Sequence, residues 1–288
     1  MAEHARHSAV PAPAREPVSA GAPWRSRLAT LGVCVLALIV IAAAATVLID
    51  HYSPAPAPSS SATDTATEPT TDRSSDTSAL FIGDSYTAAQ ANPSGTGYPC
   101  LTATALDWNC NIAAQPGTGY INGGPDHRIP RIIGALEVDS TSLIERLPRL
   151  RTKFDADIVV LDAGRNDVGF DAVDVGNAFL STLDQTQQTW PNARIVVIAP
   201  WFLASPAIVI DPGTGPIGVG AYLLGLMRAQ PRFDPVTFID PGALGWFQNE
   251  DTFPLRDLDG IHPTDRAHRV IAEKLIPALL ANGFGQRQ

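Results

Sequence analysis

Two short stretches of this chain carry residue types that could perform acyl transfer. The tripeptide 83–85, Gly-Asp-Ser, follows four apolar residues (79–82) that predict a short buried strand, so the Ser85 hydroxyl is expected where that strand gives way to a loop. Near the other end, Asp259 precedes His262 by three residues. An imidazole can take the proton of an attacking serine, and a carboxylate can fix its tautomer. Ser85, His262 and Asp259 therefore predict a nucleophile, a base and its orienting acid.

Acyl transfer also needs donors for the oxygen that becomes negatively charged. We expect them to be the backbone N–H groups of Ser85 and Gly117 and the side-chain amide of Asn166, with Gly119 as an alternative to Gly117. Each assignment has a plainer alternative. Gly, Asp and Ser are common in ordinary turns, and a histidine ahead of a helix can be satisfied by the backbone.

The elements that must position these residues alternate between strand and helix patterns. Nearly all-apolar strands separated by helices predict a parallel sheet covered on both faces, in a three-layer α/β/α sandwich. Ligands of such sheets bind at the carboxyl ends of the strands, where the candidate residues are expected to meet. Strands are predicted at 79–82, 111–114, 157–161, 194–200 and 236–240, and helices at 99–106, 142–153, 173–189, 219–229 and 264–281. Pro148 is expected to kink or split the second helix.

In order and placement, these stretches resemble the four sequence blocks of the SGNH hydrolases, also called the GDSL esterase/lipase superfamily. The blocks correspond to 83–85, Gly117, 164–167 (Gly-Arg-Asn-Asp) and 259–262. The resemblance implies a flavodoxin-like fold with five parallel strands and a serine ester hydrolase. Tyr86 stands where the family name has leucine, a departure expected not to touch the chemistry. No Gly-x-Ser-x-Gly elbow or complete dinucleotide fingerprint supports a neighbouring enzyme class.

The remaining polar residues near these blocks are assigned structural roles. Asp84 is expected to organise its loop, Asp167 to shape a turn, and Asp162 to be structural. His127 and His268 have no partner at a suggestive spacing and are predicted to be structural or exposed.

The segment before the domain has a different composition. Residues 1–27 are rich in Ala, Pro and Arg and predict a disordered cytoplasmic tail, whereas 28–49 are uncharged and long enough for a transmembrane helix. Arg25 and Arg27 precede this span and Asp50 follows it, which places the later residues outside the cytoplasm. A signal peptide cleaved near 43–45 is the alternative. Residues 51–78 predict a Pro/Ser/Thr-rich linker, and 79–288 the hydrolase domain.

The charge and the cysteine content limit which partners and cofactors are expected. The formal net charge of −9 and the lack of a basic cluster argue against a nucleic-acid partner. Arg146, Arg149 and Lys153 at helical spacing predict a solvated helix face. No Cys/His cluster has metal-site spacing, and neither a metal nor a cofactor is expected. Outside the cytoplasm, Cys100 and Cys110 would form a disulfide, the alternative being two reduced, buried thiols.

These patterns predict a membrane-anchored extracytoplasmic serine esterase that hydrolyses an O-acyl ester of a carbohydrate or an envelope lipid. Two alternatives remain. The same triad could transfer an acyl group to a sugar hydroxyl in place of water. The domain could also be a non-catalytic envelope module that binds glycan on an inherited esterase scaffold.

Overall fold

The computed structural model describes residues 77–89, 96–133, 136–205 and 208–285, without the side chains of 131–138. The predicted tail (1–27), transmembrane helix (28–49) and nearly all of the linker lie outside the described residues. Within the described ranges, no helix combines the length and apolar character needed to cross a bilayer.

A five-stranded parallel sheet forms the centre of the domain. Its order along the sheet is β2-β1-β5-β6-β9, and its strands are β1 (Ser78–Gly83), β2 (Asn109–Ala114), β5 (Ile158–Asp162), β6 (Arg194–Ile198) and β9 (Thr237–Ile239). Because β2 lies on one side of β1 and the later strands of this sheet lie on the other, the switch in direction falls between β1 and β5. In the register of this pair, Gly83 is opposite Asp162.

Helices cover both faces of the sheet, which confirms the predicted three layers. One face packs against α1 (Tyr98–Ala105) and α5 (Asp265–Ala281) and the other against α2 (Leu143–Arg151), α3 (Ala172–Thr189) and α4 (Val219–Arg228). Side chains alternate along each strand, so Phe81 and Val160 join the first core while Leu80 and Val159 join the second. The near-continuous apolar strands of the sequence are therefore strands buried on both faces.

Local signals begin the helices where the sequence predicts. Ser142 and Glu145 form the expected capping box, with the Ser142 N–H donating to Glu145 Oε2 at 2.9 Å. Thr264 caps α5 through its hydroxyl, which accepts from Ala267 N at 3.3 Å. Pro148 lies inside α2 without splitting it. The Cys100–Cys110 disulfide is present and joins α1 to β2, with the two Cα atoms 5.3 Å apart.

Two antiparallel hairpins were not predicted. They are β3 (Pro130–Ile133) with β4 (Leu136–Asp139), and β7 (Val209–Ile210) with β8 (Ile217–Gly218). Strands of two to four residues are too short to display an alternating pattern that a sequence reading can recognise.

The prediction of a solvated face for Arg146 was wrong. Arg149 and Lys153 are exposed, but Arg146 is 2% exposed because it lies on the same side of α2 as the buried Leu143 and Leu150. Its guanidinium donates to carbonyl oxygens at the ends of β1 and β2 and to Thr118, at distances of 3.1 to 3.2 Å. Carbonyl oxygens thus solvate this buried cation, and the side chain ties α2 to the carboxyl edge of the sheet.

Candidate active site

Ser85 lies in a tight turn directly after β1. Asp84 Oδ1 accepts from the Tyr86 N–H at 2.9 Å, and the Asp84 carbonyl accepts from Ala88 N at 3.0 Å. The turn needs glycine at position 83, because a Cβ there would stand 2.0 Å from Thr87 Oγ1. Ser85 itself is 8% exposed, so its small side chain borders the surface while its neighbours are buried. Local packing therefore fixes the backbone on both sides of the candidate nucleophile.

Asp259 and His262 form a pair within one short loop after β9. Asp259 Oδ2 binds His262 Nδ1, and its other oxygen accepts from the N–H groups of Ile261 and His262 at 2.8 and 2.9 Å. These hydrogen bonds, first of all that from the imidazole, lower the pKa of Asp259 to about 2. The carboxylate is therefore ionised at neutral pH and can only accept, so Nδ1 carries a proton. The neutral imidazole then has Nε2 free to act as a base.

A tyrosine connects the two segments. The Tyr86 hydroxyl donates to the carbonyl of Ile261 at 2.7 Å, and the Tyr86 ring centroid lies 6.3 Å from that of His262. The residue after Ser85 thus contacts the residue before His262. The position where the family name has leucine is therefore in direct contact with the histidine loop.

Two of the three predicted oxyanion donors, Gly117 and Asn166, lie on turns that are hydrogen-bonded to each other. Asn166 follows β5 in a short 3-10 turn (Arg165–Asp167), and its Nδ2 donates to the carbonyl of Thr118 at 2.9 Å. Gly117, one residue earlier, has a φ of +77°, a conformation that favours glycine. The structure thereby brings Gly117 and Asn166 together at the carboxyl ends of β2 and β5.

Asp167 shapes this region as predicted. Its carboxylate accepts from the N–H groups of Tyr120, Ile121 and Asn122 at 2.7, 3.1 and 2.8 Å. Gly119 lies against the same carboxylate, since a Cβ there would be 2.3 Å from Asp167 Oδ2. Gly119 is therefore needed for close packing. At Gly117, the preferred of the two candidate donors, a Cβ would lie 2.9 Å from Ile129 Cδ1, at the end of a flexible side chain.

Comparison with known proteins gives the family. Residues 81–270 match the family model described as the GDSL-like Lipase/Acylhydrolase family. The chain belongs to this family. The matched range contains the turn after β1, the Gly117 and Asn166 turns and the Asp259–His262 loop. Membership makes the protein a GDSL-type serine ester hydrolase.

Relatives of this GDSL-type chain have diverse sequences. GDSL lipase Rv0518 of Mycobacterium tuberculosis is 28% identical over 210 residues, covering 69% of this chain and 79% of that protein. The psychrotrophic esterase EstA from Pseudoalteromonas sp. is 17% identical with a TM-score of 0.51, over 72% of this chain and 98% of the other. A family two carbohydrate esterase from Clostridium thermocellum, in complex with cellohexaose, is 19% identical with a TM-score of 0.48, over 73% and 66% of the two chains.

One feature of the GDSL-type site was missed from the sequence. Arg165, the variable residue of the third block, is 3% exposed and lies between two buried carboxylates. It donates to Asp84 Oδ2 at 3.2 Å and to Asp162 Oδ1 at 2.7 Å. A signal was available, because acids at the ends of two adjacent strands need a cation, and Arg165 is close in sequence to one of them.

The cluster has two carboxylates and one guanidinium, and this imbalance of charge affects the pKa of its groups. Burial, together with the charge of Asp162, raises the pKa of Asp84 to about 6 even though Arg165 opposes the shift. For Arg165 itself burial favours the neutral form, but the attraction of both carboxylates is larger and holds its pKa above the ordinary value. Arg165 is thus a permanent cation under the nucleophile turn of this family member.

Within the described residues, the two other histidines lie outside the candidate site. His268 is fully buried in α5, its ring stacks on Tyr98, and its Nδ1 accepts from the Tyr98 N–H at 3.3 Å. Burial lowers its pKa to about 4, so it is neutral at physiological pH. His127 is exposed and packs edge-on against Phe170. The prediction of structural or exposed roles is confirmed for both.

Proposed function

We propose that the protein hydrolyses O-acyl esters through a triad of Ser85, His262 and Asp259. The observation that carries the proposal is the Asp259–His262 pair, in which an ionised carboxylate holds the Nδ1 proton and leaves Nε2 as a base. The role of Asp259 is to orient the imidazole and to stabilise its protonated form.

In the first half-reaction, Ser85 Oγ attacks the ester carbonyl while its proton passes to His262 Nε2. The tetrahedral oxyanion is met by the N–H groups of Ser85 and Gly117 and by the Asn166 amide, each such donor typically lowering the barrier by about 3 kcal/mol. Collapse breaks the bond to the alcohol, which leaves with the proton from His262. Water then attacks the acyl-serine by the same route and releases the acid.

The test uses p-nitrophenyl acetate and butyrate with the 288-residue chain. Ser85→Ala and His262→Ala should each lower kcat by about three orders of magnitude or more, because either change removes a member of a unit that acts together. Equal rates in the parent and both variants would refute the proposal. Transfer to an added sugar alcohol that exceeds hydrolysis would instead identify an acyltransferase. The 44% exposure of the Asp259 side chain supports hydrolysis, since water has access to the pair.

Apolar side chains beside the site support a substrate with an apolar part. Val168, Leu258 and Ile261 are 51%, 103% and 52% exposed, and each lies within two residues of Asn166, Asp259 or His262. Exposed apolar side chains close in sequence to the proposed site residues are consistent with a binding surface. Of the two predicted substrate classes, an acylated envelope lipid therefore fits better than an acetylated polysaccharide.

Substitution of this apolar surface tests the substrate class. Leu258→Ser combined with Ile261→Ser should lower kcat/KM about tenfold for p-nitrophenyl octanoate and much less for the acetate, because only the longer chain reaches them. Leu280→Ser is the matched control, since Leu280 is 50% exposed at the far end of α5. An equal effect on both esters would argue for a polysaccharide substrate.

The place of action is part of the proposal. We propose that residues 28–49 anchor the protein in the membrane and that the linker carries the domain outside the cytoplasm. Support comes from the uncharged span and from the arginines that precede it.

A further inference from the structure

The hydroxyl of Tyr86 joins two parts of the proposed site that are remote in sequence. It donates to the Ile261 carbonyl at 2.7 Å across 175 residues of chain, and the Leu203 N–H approaches the same oxygen at 3.4 Å. Burial raises the pKa of Tyr86 above its ordinary value, so the hydroxyl keeps its proton and remains a donor. The bond therefore persists at any pH suited to an esterase assay.

The Tyr86 ring has little freedom to move. Trp201 and Phe202 pack edge-on against it with centroid distances of 5.6 and 6.4 Å, and the Arg165 guanidinium lies 4.4 Å from the ring centroid. Arg165 is itself held by Asp84 and Asp162 and donates to the Trp201 carbonyl at 2.9 Å. The Tyr86 side chain is thus held rigidly, and its backbone belongs to the turn that carries Ser85.

The histidine loop needs a rigid contact of this kind to fix its position relative to Ser85. Its internal bonds fix the imidazole relative to Asp259, but both residues lie on the same short loop, and none of those bonds relates His262 to Ser85. Proton transfer requires that the serine oxygen and imidazole nitrogen lie within hydrogen-bonding reach, and an error of about 1 Å can cost about a hundredfold in rate.

We propose that Tyr86 is a positioning residue that sets the separation of Ser85 and His262 through the Ile261 carbonyl. The inference rests on the proposed function of that pair. A leucine at position 86 would be smaller and could not donate a hydrogen bond, so a family member with leucine must hold its histidine loop by other contacts.

The experiment compares two Tyr→Phe substitutions in the 288-residue chain. Tyr86→Phe keeps the packed ring and removes the hydroxyl. Tyr222→Phe is the matched control, because the Tyr222 hydroxyl also donates to a backbone carbonyl, that of Ala172 at 2.8 Å, without contacting the histidine loop. The rate is expressed per serine titrated with a p-nitrophenyl phosphonate, so that unfolded molecules are not counted.

For Tyr86→Phe we expect kcat to fall by about tenfold to a hundredfold while KM stays within about twofold, because positioning affects proton transfer more than binding. The acidic limb of the pH–kcat profile should not move, since the Asp259–His262 bond is intact. Tyr222→Phe should leave kcat and KM within about twofold of the parent. Tyr86→Leu, which restores the family residue, should be at least as impaired as Tyr86→Phe.

Three results would overturn the inference. They are a kcat for Tyr86→Phe within about twofold of the parent, equal losses in both Tyr→Phe variants, or full activity of Tyr86→Leu. Ser85→Ala separates this failure from that of the proposed function. If Ser85→Ala is as active as the parent, the proposed triad fails and the inference fails with it. If Ser85→Ala is inactive while Tyr86→Phe is unimpaired, only the role of Tyr86 fails.

Discussion

The Asp84 carboxylate, beside the proposed nucleophile, shares its only described cation with a second carboxylate. Asp84 and Asp162 both pair with Arg165, and all three side chains are at most 2% exposed. Two anions and one cation in a dry site hold a net negative charge unless one acid takes up a proton. The rise in the pKa of Asp84 from 3.8 to about 6 is the expected response.

This titration predicts a pH dependence of stability. Because the folded-state pKa of Asp84 is raised, its contribution to stability is complete below 3.8 and is lost as the pH rises through about 6. The free energy of unfolding of the parent, measured in urea, should fall by about 2 kcal/mol relative to Asp84→Asn between pH 4 and 7.5. Asp155→Asn, which removes an 88% exposed carboxylate, is the control and should show no such change. A parallel pH dependence of the parent and Asp84→Asn would contradict the assignment.

The contact between Gly119 and Asp167 predicts a costly single methyl group. Gly119→Ala should lower the free energy of unfolding by about 1 to 3 kcal/mol and kcat by about tenfold or more, because the new Cβ displaces the Asp167 carboxylate that holds the turn next to Gly117, a proposed oxyanion donor. Gly225→Ala is the control. Gly225 lies in α4 with no atom within 4 Å of a built Cβ, so alanine there should stabilise by about 0.5 to 1 kcal/mol. If Gly119→Ala left both the free energy of unfolding and kcat unchanged, the turn would have to relax around the added methyl group.

At the scale of elements, the disulfide supports the fold away from the site. Cys110 is opposite Ala79 near the start of β1. It therefore lies at the amino ends of the strands, whereas Ser85 follows the carboxyl end of β1. Replacing both cysteines by serine should lower the free energy of unfolding by about 2 to 3 kcal/mol and leave kcat/KM within about twofold. Dithiothreitol should shift the urea midpoint of the parent to that of the variant and leave the variant unchanged. A large loss of kcat/KM would mean that α1 also positions the site.

The helices and the central strands could be predicted because each carries a local signal. Ile158–Asp162 is almost entirely apolar, and Ser142 with Glu145 marks the start of α2. The carboxyl-edge rule then predicted, without side-chain geometry, where the candidate site residues would gather. Buried polar contacts give no such local signal. Arg146 reads as a surface residue because its carbonyl acceptors at Gly83 and Ala113 come from other parts of the chain.

Tyr86 eluded prediction for a related reason. A sequence motif records only residue types. The Tyr86 hydroxyl contacts a backbone carbonyl, which any residue at position 261 would supply. Only the three-dimensional arrangement of β1 and the histidine loop shows that the substitution of tyrosine for leucine adds a hydrogen bond.

At the scale of the whole molecule, the proposed anchor can be tested by fractionation. The 288-residue chain should sediment with membranes and resist carbonate extraction, because an uncharged helix over 28–49 would be buried in lipid. A chain lacking 28–49 is the control and should remain in the soluble fraction. A soluble protein whose N-terminus begins just after residue 45 would identify a cleaved signal peptide instead.

The 175 residues that separate Tyr86 from the Ile261 carbonyl have a consequence for biosynthesis. A ribosome makes the segment of Ser85 long before the loop of His262, and the N-terminal part of a domain is the first to emerge. In the proposed mechanism, the unfinished chain has no group that can accept the Ser85 proton until that loop has been synthesised and has folded back against β1. By that mechanism, the nascent protein cannot attack the cell's own acyl esters before its C-terminal segment has folded.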